Sequence, residues 1–301
     1  MTPKIELQKT RDFGEIITDT FIFVRQNLKP LLLCFFVFSG FFLIAGTITS
    51  SMQQVKTFSF VNESFGPVRS NQLFGSSNPF TRMLGLEYIL SIIFLWLNYV
   101  AITVTVYSYI CIYREKGNVA ATPSEVWGYF KYFFFKIFGS SFLLGLLLII
   151  GFVLCFIPGI WLYPIFGLIF PIMVFENTSL GYAFNKSFKL IKDSWWLTFG
   201  CLFVIGLIVY FATVIVVLPT TLLNLGSLFI HPSKGVHLSI TLSVITVFLQ
   251  HLCQVFYIFP IVTMSLCYFN LSEHTEGTGL LGRINQLGNI TPDDTTQPEE
   301  Y

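Results

Sequence analysis

Residues 31–50 read LLLCFFVFSGFFLIAGTITS, twenty residues without a charged side chain. A helix of that length is about 30 Å long, which matches the hydrocarbon core of a bilayer. A charged leader precedes this run, with Lys4, Lys9, Arg11, Arg25 and Lys29. No small-residue cleavage pattern follows it, so the run is expected to stay in the protein as a span, not to be removed as a signal peptide.

Five further predominantly apolar runs follow, over 84–113, 137–157, 159–175, 197–218 and 238–269. The second and sixth of the resulting spans exceed about 20 residues, so they are expected to tilt or project beyond the bilayer. Composition agrees: 54% of the chain is hydrophobic, 11% is charged and Phe occurs 35 times. Soluble domains carry about 25% charged residues, so this chain cannot cover a water-facing surface. The expected fold is an all-α membrane protein with six transmembrane helices. A net charge of +1 does not suggest a nucleic-acid partner.

Lys and Arg placement predicts sidedness. The leader, the second connection (Arg114, Lys116, Lys131, Lys136), the fourth (Lys186, Lys189, Lys192) and Arg283 in the tail hold 13 of the 17 basic residues. Lys56, Arg69, Arg82 and Lys234 lie on the other side. Both termini are therefore expected in the cytoplasm. The stretch 51–83 reads as a polar external loop, Pro158–Gly159 as a tight turn, and His231 to Gly235 as a short outer turn. Residues 273–301 lack apolar periodicity and are expected to be a disordered cytoplasmic tail.

Each inward-facing basic segment has helical periodicity, predicting three amphipathic interfacial helices on the cytoplasmic side. In the leader (1–30), Phe13, Ile16, Ile17, Thr20, Phe21, Val24 and Leu28 share a face opposite Asp12, Glu15, Asp19, Arg25, Gln26 and Lys29. The second, 123–138, opens on Thr122–Pro123–Ser124–Glu125, a capping box with proline at the first helical position. In the third, 178–196, Leu180, Phe184, Phe188, Ile191 and Trp195 fall opposite Asn185, Lys186, Lys189, Lys192 and Asp193. Such helices place basic residues among headgroups and aromatics among acyl chains. The order of interfacial helix, span, outer turn and span thus occurs three times, a threefold helix-hairpin repeat. Ile169-Phe170-Pro171-Ile172 recurring as Ile258-Phe259-Pro260-Ile261 supports it, against convergent amphipathicity as the alternative.

The stretch 164–200 carries Phe175-Glu176-Asn177, then Lys186-Ser187-Phe188-Lys189-Leu190-Ile191-Lys192, then Trp195-Trp196-Leu197-Thr198-Phe199-Gly200. It resembles the membrane domain attached to some bacterial glycerophosphoryl diester phosphodiesterases, and related stand-alone six-span bacterial proteins of unknown function. The likeness in layout covers 11–272, and the specific motif about an eighth of the chain. The family's soluble, metal-dependent catalytic domain has no counterpart here, so the resemblance implies no phosphodiesterase activity. It implies a bacterial inner membrane location, with other membrane proteins or an AAA-type ATPase system as partners.

Polar residues inside spans are functional candidates by default. Asn98 reads as an interhelical hydrogen-bonder or a substrate contact, and Glu87 as an interfacial carboxylate. Gln250, His251 and Gln254 form the one dense polar cluster within a span. Simple windowing puts them near mid-membrane, whereas the repeat puts His251 near the outer interface. Glu176 ends the fourth span, where it is expected either to pair with Lys186 or Lys189 as a hinge or to stay solvated. Prolines 158, 164, 171, 219 and 260 kink or punctuate spans. The six cysteines lie in or beside apolar runs without a CxxC pair and read as small buried hydrophobes. No cofactor, metal or catalytic constellation is expected. The leading expectation is a non-enzymatic scaffold or accessory subunit of an envelope complex that contacts membrane lipids. A transporter or lipid translocase is the alternative, and a lipid-acting enzyme the third.

Overall fold

A computed structural model of the chain describes residues 4–65, 85–154, 156–230 and 240–277. Every regular element among them is helical: α1 Phe13–Gln26, α2 Leu28–Phe65, α3 Leu86–Glu115, α4 Pro123–Leu154, α5 Phe156–Phe175, α6 Leu180–Ile191, α7 Trp195–Ile230, α8 Ile240–Leu252 and α9 Ile258–Glu276. A 3₁₀ turn, Cys253–Tyr257, joins α8 to α9. Six segments are long and apolar enough to cross a membrane, with α8, the 3₁₀ turn and α9 forming the sixth. That makes this a multi-pass, all-helical membrane protein.

Local chemistry explains several boundaries. Asp12 caps α1: its Oδ1 accepts from the Glu15 amide at 2.7 Å, and its own amide donates to Glu15 Oε2 at 3.2 Å, a complete capping box. At the start of α4 the Thr122 amide donates to Glu125 Oε2 at 2.8 Å, as the Thr-Pro-Ser-Glu motif predicts. Asn177, with φ of 50°, turns the chain out of α5, and the Thr178 amide reaches back to the Met173 carbonyl. Gly277, with φ of 58°, ends α9 in the same left-handed way.

Several expected boundaries are corrected. The span 31–50 belongs to one helix that continues to Phe65, so the first half of the expected loop 51–83 is helical; residues 66–84 lie outside the described residues. The expected interfacial helix 123–138 and span 137–157 are one continuous rod, because nothing between Lys131 and Gly145 interrupts the backbone hydrogen bonding of α4. Pro158 and Gly159 sit in the first turn of α5, where a missing N–H costs nothing. The sixth span is broken at Cys253–Tyr257 and runs on to Glu276, so residues 273–276 of the expected tail are helical. The outer turn from His231 and the tail beyond 277 lie outside the described residues. The element boundaries do not repeat: Asn27 separates α1 from α2, no break precedes the span in α4, and residues 192–194 form a corner before α7.

Two helices form the centre. Every residue from Val100 to Tyr113 of α3 is buried, as is every residue from Ile261 to Ser272 of α9. Helices hydrophobic on all sides belong in the interior. Here α1 crosses α9 through Phe21 on Phe259 (5.2 Å between centroids) and Thr20 Oγ1 to Thr263 Oγ1 at 3.2 Å. Helix α6 folds back antiparallel on α5, with Phe184 beside Phe166 and Phe188 beside Trp161. By contrast, only 22% of the most apolar window of α4, and the same share in α7, is buried, so both turn most of their surface outward. The end of the bundle that holds Arg11, Glu176 and Glu276 is called the near end below, and the end that holds Lys56 and Glu87 the far end.

Candidate functional site

Two polar groups stand out against this apolar background. The first lies at the near end, where α5, α6 and α9 converge. Glu176, one residue past α5, accepts from the Tyr268 hydroxyl at 2.7 Å and from Lys186 Nζ at 2.9 Å. The same ammonium reaches Glu276 at 2.6 Å, so one cation joins three helices. Burial acts to lower the pKa of Lys186, but the hydrogen bonds it donates to Glu276 and Glu176 outweigh it and raise the pKa above its ordinary value. Beside this cluster Phe175 stacks on Phe269 at 4.9 Å, and the Arg114 guanidinium lies 6.0 Å and 5.8 Å from their ring centres. These distances are at the limit of a cation–π contact.

Arg11 anchors the leader at this end. It is only 4% exposed. Its Nε donates to Asp19 at 2.8 Å, and its remaining guanidinium nitrogens donate to the carbonyls of Leu7, Lys9 and Glu6. Its backbone amide donates to Asn270 Oδ1 at 2.7 Å. The leader is thereby stitched to the end of α9.

The second group is a polar seam between α2, α3 and the broken sixth span. Asn98 donates through Nδ2 to Gln254 in the 3₁₀ turn, and both side chains are buried. The Asn98 Oδ1 has no hydrogen-bond partner. One turn earlier, His251 Nδ1 donates to the Val247 carbonyl at 2.9 Å. That bond leaves Nε2 as the acceptor facing the Ser50 hydroxyl at 3.4 Å, the tautomer being assigned from the bonding pattern. Gly46 admits the ring, since a Cβ there would sit 3.2 Å from it. Farther out, Ser91 donates to Gln53 at 3.3 Å and Lys56 pairs with Glu87 at 2.6 Å. The seam therefore grows from neutral to charged toward the far end.

The candidates read from sequence divide accordingly. Glu176 and Lys186 meet. Lys186 is mostly covered, because it shares the Ala183–Leu190 face of α6 rather than the outward one. Lys189 and Lys192 are exposed and take no part in this cluster. Asn98 and Gln254 meet, His251 lies one turn away, and Gln250 is exposed and outside the seam. Ser50 lies 22 residues into the 38-residue α2, about 33 Å along its axis, so the His251 to Ser50 contact sits about one turn past the middle of that helix, on its far-end side. Sequence reasoning missed Tyr268, Glu276, the bonds of Arg11, and the Gln53–Ser91 pair. Tyr268, Ser272 and Glu276 recur every four residues ahead of Gly277, a helix-end signal that points to the first two.

Among the described residues no three His, Cys, Asp or Glu side chains gather where they could hold a metal ion. Comparison with protein-family models, curated proteins and solved structures gave no match.

Proposed function

We propose that this chain is a non-enzymatic scaffold or accessory subunit of a bacterial envelope complex. In this reading it sits in the inner membrane with both ends in the cytoplasm, and α1 and α6 pack along the central helices of the cytoplasmic half. The near-end basic residues support that orientation through the positive-inside rule. The observation that carries the reading is how the near half uses its charges. Arg11, Asp19, Glu176, Lys186 and Glu276 bond to one another or to the backbone across four helices and the leader. Such a half is a fixed platform, while α4 and α7 offer long apolar faces to lipid or to partner helices. Gentle-detergent purification with mass spectrometry of the bound proteins tests it. A stoichiometric membrane partner or an associated ATPase is the expected result. A monomer that crosslinks to nothing and moves a solute in liposomes overturns it.

One observation favours a transporter instead: the 3₁₀ interruption beside Asn98, whose carbonyl oxygen is buried without a partner. Broken helices with free polar groups form substrate sites in transporters. The liposome arm decides between the two, and Asn98→Leu must abolish any flux if this second reading holds.

A further inference from the structure

The α6–α7 corner and the first turns of α5 enclose a groove of about 850 Å³. Its apolar lining includes Ile157, Ile160, Trp161, Leu197 and Phe199, and its polar lining is Lys192, Asp193 and Ser194. Two indoles complete it. Trp195 and Trp196 stand at 89° with centroids 4.7 Å apart, and Trp195 is held in place by donating to the Trp161 carbonyl at 3.0 Å. Phe199 stacks on Trp195 at 4.9 Å. The groove therefore combines an apolar trough, a right-angled aromatic corner, and one charge of each sign. Among the described residues neither Lys192 nor Asp193 has an ion-pair partner.

We infer that this groove holds the headgroup of a zwitterionic phospholipid whose amine is a primary ammonium, with an acyl chain along the trough. The charges match that occupant. Lys192 complements the phosphate, while Asp193 accepts hydrogen bonds from the ammonium, which also rests against the negative faces of the two indoles. An anionic headgroup would satisfy Lys192 but place its remaining oxygens beside the Asp193 carboxylate. The proposal rests only on the chain being a multi-pass membrane protein and is independent of the scaffold role.

Native mass spectrometry of the full chain in neutral detergent, with phosphatidylethanolamine and phosphatidylglycerol of identical acyl chains at equal concentration, tests it. The expected result is one tightly retained lipid, with the ethanolamine lipid favoured by about threefold, the scale of an exposed charge pair. Asp193→Asn must remove that preference, and Lys192→Gln must weaken both lipids together. Trp196→Ala, at another exposed position, must lower the same ratio. Equal retention of both lipids by the native chain, or a preference unchanged in Asp193→Asn, overturns the site. Partner capture in the same preparations reports separately on the scaffold, so loss of headgroup preference with capture intact rejects the groove alone.

Discussion

From Leu86 to Tyr99, α3 turns Leu86, Ile89, Ile92, Ile93, Leu95 and Tyr99 outward, whereas from Val100 to Tyr113 nothing on it is exposed. The sixth span divides the same way. Its α8 part buries only Ser243, Val247 and His251, while α9 is covered on nearly every side. Both halves of both helices are apolar, so hydropathy does not separate them. The difference lies in what surrounds them. In the near half α1 and α6 close over the central pair, and most of the polar side chains there bond within the protein, the Ser108 and Thr178 hydroxyls being exceptions. Thr103 and Thr105, for example, donate to carbonyls four residues back in their own helix. In the far half the helices still meet along the polar seam, but no further helix closes over them and they leave apolar surface exposed. The near half resembles the core of a soluble helical protein, and its energetics should follow.

The sharpest test of that contrast is Arg11. Its guanidinium is buried, paired with Asp19 and bonded to three carbonyls. Replacing it by Met leaves a carboxylate and several carbonyls without their donor, a class of change that costs about 3–5 kcal/mol. Thermal unfolding in detergent should show a large drop in midpoint. An unfolding midpoint close to that of the native chain would mean the leader is not part of the near-half core.

Next in size is the α4–α5 hairpin, where close packing does not depend on charge. A Cβ on Gly159 would lie 2.4–2.7 Å from ring atoms of Phe152, so Gly159→Ala should cost about 1–3 kcal/mol by overpacking. Gly145, on the same hairpin, meets nothing within 4 Å. Gly145→Ala should be neutral or stabilising by up to about 1 kcal/mol through helix propensity. Chemical denaturation of the two variants side by side measures the difference, and equal effects would remove the claim of close approach.

How much of this was legible in the sequence follows from the same contrast. The six runs could be read because a bilayer demands length and apolarity, both of which are local. Asp12 with Glu15 and Thr122 with Glu125 are likewise local signals, and a cap reads directly from its spacing. What could not be read was which apolar residues face protein and which face lipid. Lys186 shows the difficulty. Helical periodicity set it with Lys189 and Lys192 on the outward side, yet it lies under α9 because two carboxylates wait there, one of them a hundred positions before Glu276 in sequence. Asn98 and Gln254 are 156 residues apart, and only the break at Cys253–Tyr257 aims Gln254 inward. That break has no proline or glycine within it to announce it.

Lys186 also gives a pH test of the near end. Its folded pKa lies above the ordinary 10.5. A raised folded pKa means its contribution is complete below the unfolded value and is lost as pH climbs through the folded one. Lys186→Gln should therefore be less stable than the native chain by about 1–2 kcal/mol across the neutral range, the scale of charge-assisted hydrogen bonds. The gap should narrow only above about pH 10.5. A gap that closes already between neutrality and pH 9 would show that a different group controls this junction.

The smallest effect is expected at the opposite end of the bundle. Lys56 and Glu87 are 2.6 Å apart, as close as Lys186 is to Glu276, yet the Lys56 side chain is 56% exposed against 12% for Lys186. Distance alone would rank the two lysines equal; exposure separates them, because water and salt screen an open pair and ordering a long lysine offsets what attraction remains. Lys56→Gln should therefore leave the unfolding midpoint unresolved from that of the native chain, and any small shift should vanish at high ionic strength. The Lys186→Gln deficit should persist under the same salt, since Lys186 and Glu176 are themselves largely covered. If instead Lys56→Gln proved as costly as Lys186→Gln and equally insensitive to salt, the far end would be as enclosed as the near one. Residues outside α2 and α3 would then have to cover that pair, and the contrast between the halves would fail where it is drawn most sharply.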